Sequence, residues 1–166
     1  GCVLVFNGEI YNFRELAAEL RQLGANFRSH SDSEVLLQGY LHWGEGLLER
    51  LRGMYAFALW DPRSGELWLA RDPYGIKPLY YAAGAGRFWF ASQVRALRGR
   101  PEIDGRPSPA GVVSFLLTGS VAEPHTCYRG IRVLPAGHSI RIDGNGSGPE
   151  RRHASVAGVW RNAARD

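Results

Sequence analysis

Hydrophobic residues open the chain in an unbroken run, Val3-Leu4-Val5-Phe6, and the polar triplet Asn7-Gly8-Glu9 ends it. A short continuous apolar run of this kind suits a buried strand. From Asn12 the period changes. Phe13, Leu16, Ala17, Leu20 and Leu23 recur three and four residues apart, which predicts a helix with one apolar face. Asn12 followed by Glu15 fits a capping box, and Gly24 fits a C-terminal stop. Phe27 to His30 reads as a short extended piece. Ser31 or Asp32 can then cap a second helix that carries Val35, Leu36, Leu37, Tyr40 and Leu41 and stops near Gly44. A short amphipathic turn through Leu47, Leu48 and Leu51 leads to Gly53.

Beyond Gly53 the pattern is that of strands. Tyr55 to Trp60 is one, and the cluster Asp61 to Gly65 is a turn. Glu66 to Arg71 alternates, with Leu67 and Leu69 on one side and Trp68 and Ala70 on the other. Arg71-Asp72 and Lys77-Pro78 read as organisers of the turn around Pro73 to Gly75. Leu79 to Ala82 and Phe88 to Ala91 make further strands joined across Gly84 to Gly86, an antiparallel meander. Ser92 to Leu97 and Pro109 to Leu117 read as short helices. Ile131 to Leu134 and Ser139 to Ile142 are the last strand-like pieces. Two helices followed by several antiparallel strands predict an α+β layered domain over residues 1–143. Gly144 to Pro149 has linker composition, and the polar, arginine-rich remainder makes 144–166 a linker-like tail expected to be disordered.

Composition narrows the function classes. The chain is 45% hydrophobic over 166 residues, enough for one globular core. Its formal charge of +4 is carried almost wholly by arginine, Lys77 being the sole lysine. Except in the tail around Arg151, Arg152, Arg161 and Arg165, the arginines interleave with acids and are spread through every segment, so nucleic acid is not an expected partner. No apolar run is long enough to cross a bilayer and no leader pattern opens the chain, so no membrane partner is expected. Cys2 and Cys127 do not make a disulfide framework, which suits a reducing, cytoplasmic setting. The five histidines show no metal-ligand spacing, and no metal site is expected. The chain has no initiator Met and opens directly into a strand, which reads as a cut start.

Two short segments can carry chemistry. At Asn7-Gly8 a side-chain amide stands beside an unobstructed backbone N–H, the pair of donors an oxyanion hole requires. An isolated Asn-Gly is more commonly a tight turn leaving a strand. At Ser31-Asp32-Ser33-Glu34 an acid at a helix entrance can hold an ammonium group, although such an acid is more commonly a cap.

The wording of several segments then points to a family. Val3-Leu4-Val5-Phe6-Asn7-Gly8-Glu9-Ile10-Tyr11-Asn12 and Ser31-Asp32-Ser33-Glu34-Val35-Leu36 resemble the glutamine-site segments of asparagine synthetases. Arg52 to Ala58, Ala70 to Tyr81, Phe90-Ala91-Ser92, Tyr128 to Ile131 and Leu134 to His138 follow in the same order. The likeness covers residues 1 to 142 and is to the glutaminase domain, a class II glutamine amidotransferase of the N-terminal nucleophile hydrolase type. It implies two stacked antiparallel sheets flanked by helices (αββα), here lacking the first strands.

The resemblance also implies a reaction. An N-terminal Cys attacks the glutamine side-chain amide, with its own α-amino group as base. Asn7 and Gly8 stabilise the oxyanion, and Asn7, Gly8, Glu9 and Asp32 bind L-glutamine, the two acids at its α-ammonium. Ammonia passes to a synthetase domain, which amidates aspartate with ATP and magnesium. The family's nucleophile and its carboxylate-binding Arg lie upstream of the Asn-Gly-Glu segment. Cys2 is not read as that nucleophile, because it lies in the strand feeding Asn7. The chain therefore reads as an incomplete piece, inactive alone, holding no cofactor, with a homodimeric parent. Its rivals are an amidotransferase of polysaccharide or secondary-metabolite assembly and a non-catalytic binding module.

Overall fold

The computed structural model describes residues 1–163. Strand β1 (Val3–Ile10) is followed by helix α1 (Phe13–Gln22), helix α2 (Asp32–Trp43) and, after a 3₁₀ turn, the single-turn α3 (Leu47–Arg50). Strands β2 (Gly53–Asp61), β3 (Glu66–Arg71), β4 (Tyr80–Gly84) and β5 (Arg87–Ala91) come next. Then follow α4 (Pro109–Thr118), β6 (Arg132–Val133), β7 (His138–Asp143), β8 (Gly146–Ser147), β9 (Arg151–Arg152) and α5 (Val156–Ala163). One antiparallel sheet has the order β1-β2-β3-β7-β8, with β9 also on β7; a second has the order β5-β4-β6.

Side-chain parity explains the layering. Leu4, Phe6 and Ile10 of β1, Tyr55, Phe57 and Leu59 of β2, and Trp68 and Ala70 of β3 face α1 and α2 and share one core with Leu16, Leu20 and Leu36. Alternate residues of the same strands, Ala56, Ala58 and Leu69, face Leu79 and Tyr81 beside the second sheet and form another core with Ile140 and Ile142. Leu67 and Leu69 thus fall on one face and Trp68 and Ala70 on the other. Each fully buried Leu or Ile in these layers contributes about 1.5–3 kcal/mol.

Local details follow sequence chemistry in some places and depart from it in others. Gly24 (φ 91) ends α1 in a Schellman motif, with Ala25 N–H donating to Leu20 O (2.9 Å) and Gly24 N–H to Arg21 O (3.0 Å). Ser31, not Asp32, caps α2, accepting from Glu34 N–H at 3.3 Å. The expected capping box at α1 does not form. Asn12 instead donates to Arg50 O (3.0 Å) and accepts from Arg52 N–H (3.0 Å), tying α1 to the loop after α3. The short helix expected over Ser92 to Leu97 is a 3₁₀ turn confined to Val94–Ala96. Arg71 and Asp72 do organise the turn after β3. Asp72 is fully buried and accepts from the N–H groups of Tyr55, Tyr74, Ile76 and Lys77.

The segment from residue 144, expected to be disordered, carries two strands and a helix. The Gly-rich composition that reads as linker makes a hairpin instead. Gly144 and Asn145 form its loop, Asp143 pairs with Gly146, and Asn145 N–H donates to Asp143 Oδ1 (2.7 Å). The chain then returns along β7, with Arg152 opposite His138. Tyr81 donates its hydroxyl to Glu150, and the His153 ring donates to Arg71 O (3.1 Å). These are contacts with residues 69 and 82 positions earlier in the chain, which no local pattern encodes. Residues 164–166 of the expected tail lie outside the described residues.

Candidate functional site

The site is built on β1, which lies at one end of its sheet. In an antiparallel pair, successive N–H groups point alternately toward the partner strand and away from it. Tyr11 N–H donates to Arg52 O at 2.7 Å, in the direction of β2. Ile10 N–H therefore points off the free edge, where the Asp32 carboxylate accepts it at 3.2 Å. Gly8, two residues earlier, shares the direction of Ile10. Its N–H emerges on the same edge, and no strand among the described residues takes it.

Gly8 has close neighbours on its other side. A Cβ built there would lie 2.2 Å from Met54 O and 2.8 Å from Tyr55 Cα, and the backbone has φ 155. Any side chain would push β1 off β2 at the residue whose N–H is offered. Asp32 reaches the edge because Ser31 caps α2 in its place, leaving the carboxylate at the first turn of the helix free to turn toward β1. The preceding loop is pinned by Glu34, which accepts from Arg28 N–H (2.8 Å), Ser29 N–H (2.6 Å) and Ser29 Oγ (2.5 Å). The Ser29 hydroxyl, followed by the Arg28 N–H, holds the Glu34 carboxyl below the usual carboxylate range. An open groove of about 580 Å³ runs beside these residues, lined by Leu4, Phe6, Arg28, Ser33 and their neighbours. That volume is within the range of small-molecule sites.

Asn7 leaves the other face of β1. Its Nδ2 donates to Ser92 Oγ at 3.3 Å, in a cleft of about 90 Å³ between the sheets, also lined by Val5, Ala58, Leu79 and Phe90. That cleft has room for about three water-sized groups. Glu9 is exposed and has the same parity as Asn7. The fold thus brings Gly8 and Asp32 to one edge, and sets Asn7 and Glu9 one residue to either side of Gly8 on the opposite face from the helices. Ser92 was not singled out as a site residue. Its one signal is its place in the Phe90-Ala91-Ser92 segment, and only the packing of the two sheets shows that it meets Asn7.

Cys2 sits at the far end of β1, about 16 Å along the strand from Asn7. It packs against the helix-side core. Burial, with Asp61 beside it, pushes the thiol up from its ordinary value, which disfavours the nucleophilic thiolate. Cys127 is half-buried and unpaired. No group of three or more His, Cys, Asp or Glu among the described residues is placed to hold a metal ion. No described helix is long and apolar enough to cross a membrane.

Comparison with known proteins places the chain in a family. The glutamine amidotransferase domain model matches residues 1–153. A Mycobacterium bovis protein, named provisionally as a glutamine-hydrolysing asparagine synthetase, is 49% identical over 144 residues, covering 84% of this chain and 22% of that protein. Asparagine synthetase [glutamine-hydrolyzing] 3 of Bacillus subtilis is 35% identical over 144 residues, covering 86% of this chain and 24% of the relative. The chain therefore spans between a fifth and a quarter of the length of these relatives. Among solved structures, glutamine phosphoribosylpyrophosphate amidotransferase from B. subtilis superposes with a TM-score of 0.63 at 22% identity, over 92% of this chain and 29% of that one. This is a likeness of fold, and it extends to the two antiparallel sheets with their helices. With a family match reaching from residue 1 through the β9 hairpin, the chain belongs to the class II glutamine amidotransferase domain family, in the form found in glutamine-hydrolysing asparagine synthetases.

Proposed function

We propose that this chain forms the glutamine-binding and oxyanion-stabilising part of a glutaminase that supplies ammonia for asparagine synthesis. The observation that carries the reading is the free edge of β1, where the Gly8 N–H and the Asp32 carboxylate stand along one line. Asp32 receives the α-ammonium of L-glutamine in a charge-assisted hydrogen bond, which selects an amino acid over a simple amide. Glu9 adds negative charge on the neighbouring exposed position. The side-chain carbonyl of glutamine lies toward Gly8, and the Asn7 amide turns from Ser92 to join the Gly8 N–H as the tetrahedral oxyanion forms. Once turned onto the oxyanion, a donor of this kind is worth about 10²–10³ in kcat. The attacking thiolate comes from a cysteine other than Cys2, carried on a segment that docks along the open edge.

Amidation of aspartate, with its ATP and magnesium, belongs to a synthetase domain beyond the matched region. The described residues hold no acidic or histidine cluster suited to a metal ion, so no step of that chemistry is assigned to them. The reading is tested on the ¹⁵N-labelled 166-residue chain by titration with L-glutamine. Saturable shifts are expected at the Gly8 and Ile10 amides, lost in Asp32→Asn and absent with the analogue that lacks the α-amino group. A titration that leaves Gly8 and Ile10 unmoved overturns the assignment.

A further inference from the structure

Helix α1 and the loop before α2 enclose a second hollow. It shares Ser29 and Ser31 with the groove beside β1 but none of that groove's strand residues. Its volume is about 320 Å³, room for about ten water-sized groups and the lower end of the range for small-molecule sites. Spacing along α1 creates it. Arg14, Ala17 and Arg21 recur at three and four residues and so form one stripe, with the two arginines about 10 Å apart along the axis. The single methyl of Ala17, buried between two long side chains, leaves the dip. Phe27 and the Ser29-His30-Ser31 turn make the facing wall, and Phe13 and Val35 add apolar surface.

The charge around this hollow has one sign, and no acid lines it. Arg21 Cζ lies 4.9 Å from the ring centroid of Phe27, and Arg14 Cζ 5.6 Å from that of Phe13. Stacking on a ring uses one face of a guanidinium and leaves the N–H groups at its edge free. Among the described residues neither arginine meets a carboxylate. Glu19 is taken by Arg50 at 2.7 Å, and Glu34 by the N–H groups of Arg28 and Ser29. Helix stability does not account for Arg14, which stands in the first turn of α1, where the positive end of the helix dipole disfavours a cation. We propose that this hollow binds a small amphiphilic anion, a flat apolar body headed by a carboxylate or a phosphate. The body lies over Ala17 between Phe13 and Phe27, and the head group meets the arginine N–H groups in charge-assisted hydrogen bonds, with the His30 ring at the rim. The proposal is independent of the glutamine reading.

Titration of the ¹⁵N-labelled 166-residue chain with 2-naphthoate and with 2-naphthyl phosphate tests this. Saturable shifts are expected at the Ala17, Arg21 and Phe27 amides. The amides of Leu116 and Leu117, whose side chains are exposed on α4, should stay in place, which separates a site from adsorption to apolar surface. The tighter of the two probes identifies the head group. 2-Naphthalenemethanol, the same body without charge, and inorganic phosphate, the charge without the body, are each expected to bind about tenfold more weakly or worse. Arg14→Gln with Arg21→Gln, both at exposed positions, is expected to raise the Kd about tenfold or more with an unchanged far-UV spectrum. Shifts that do not saturate, a neutral probe that binds as tightly, a double variant that keeps its affinity, or shifts at Gly8 and Ile10 in place of α1 would each overturn the proposal.

Discussion

Replacing Asp72 by Asn keeps the shape of the side chain and changes what it can accept. In the folded chain Oδ1 accepts from Tyr74 N–H (3.0 Å) and Ile76 N–H (3.1 Å), and Oδ2 from Lys77 N–H (3.0 Å) and Tyr55 N–H (3.3 Å). An amide has one acceptor oxygen. Whichever way it turns, its NH₂ faces two N–H donors, and the two surviving bonds lose their charge. Each bond to a charged acceptor is worth about 1.5–3 kcal/mol and each neutral one about 1, while a carboxylate costs more to bury than an amide; the net loss is about 3–4 kcal/mol. For a domain of this size that corresponds to a fall in Tm of about 10 °C. Urea unfolding followed by far-UV circular dichroism, read at constant m-value, measures it. The consequence also reaches the site. Tyr55 is paired with Gly8 across β1 and β2, and Asp72 N–H donates back to Tyr55 O at 2.8 Å. Hydrogen exchange at Tyr55 should accelerate with the loss of stability, and the Gly8 amide resonance should move. A loss below about 1 kcal/mol would show that the four N–H groups find other acceptors, and the reasoning would fail.

Other substitutions probe separate features. Tyr55→Phe removes a hydroxyl that is buried without a hydrogen-bond partner among the described residues and whose ionisation burial pushes far up; stability should be unchanged or higher by about 1 kcal/mol, and a clear loss in thermal melting would mean the hydroxyl has a partner. His153 is held below its ordinary pKa, chiefly by burial and further by His138, against the opposing pull of Arg71 O and Asp72. The unfolded chain therefore binds the extra proton more readily, and the stability that His153 contributes is present above about pH 6.5 and falls as the pH drops below it. Melts between pH 5 and pH 7.5 should show this slope in the parent chain and a shallower one in His153→Gln; equal slopes would contradict the assignment. Cys2→Ala should leave the glutamine-induced shifts at Gly8 and Ile10 intact, since the thiol lies at the other end of β1, and a loss of those shifts would place Cys2 in the site.

What could be read from the chain and what could not divides along contact range. The alternation of Glu66 to Arg71 predicts both faces of β3, because parity is a local property. Gly24 marks the end of α1 for the same reason, since only the last turn of the helix is involved. Asn12 misled because its cap signature is local while its bonds, to residues 50 and 52, are not. The segment from 144 misled in the same way: flexible composition permits a hairpin as well as a linker, and Tyr81 and Arg71 decide between them. Within the proposed site, Asn7, Gly8 and Asp32 are legible in the sequence as donor and acceptor types. That Asp32 meets the backbone of β1, and that Asn7 meets Ser92, follow from how α2 and the second sheet pack on the strand.

The placement of the proposed site on an end strand has a physical cause. A backbone N–H can serve a ligand only where the sheet has not already used it. In β2 and β3, which have neighbours on both sides, the N–H groups are committed to the ladders or, at Tyr55, to the Asp72 carboxylate. Among the described residues β1 has one neighbour, so every second N–H along it is available, and Gly8 and Ile10 are in that set. Ile10 is spent on Asp32, which fixes the acid where an ammonium group can reach it, and Gly8 remains open. The same open edge is a hazard, since it can pair with any strand that arrives. Val3 and Val5, 58% and 56% exposed beside it, add to that hazard. Ordinary protection of an edge, by a Lys or Pro within the strand, would take away the donor or crowd its approach. Covering the edge with a segment that brings the nucleophile resolves both demands at once, and the proposed mechanism requires that arrangement.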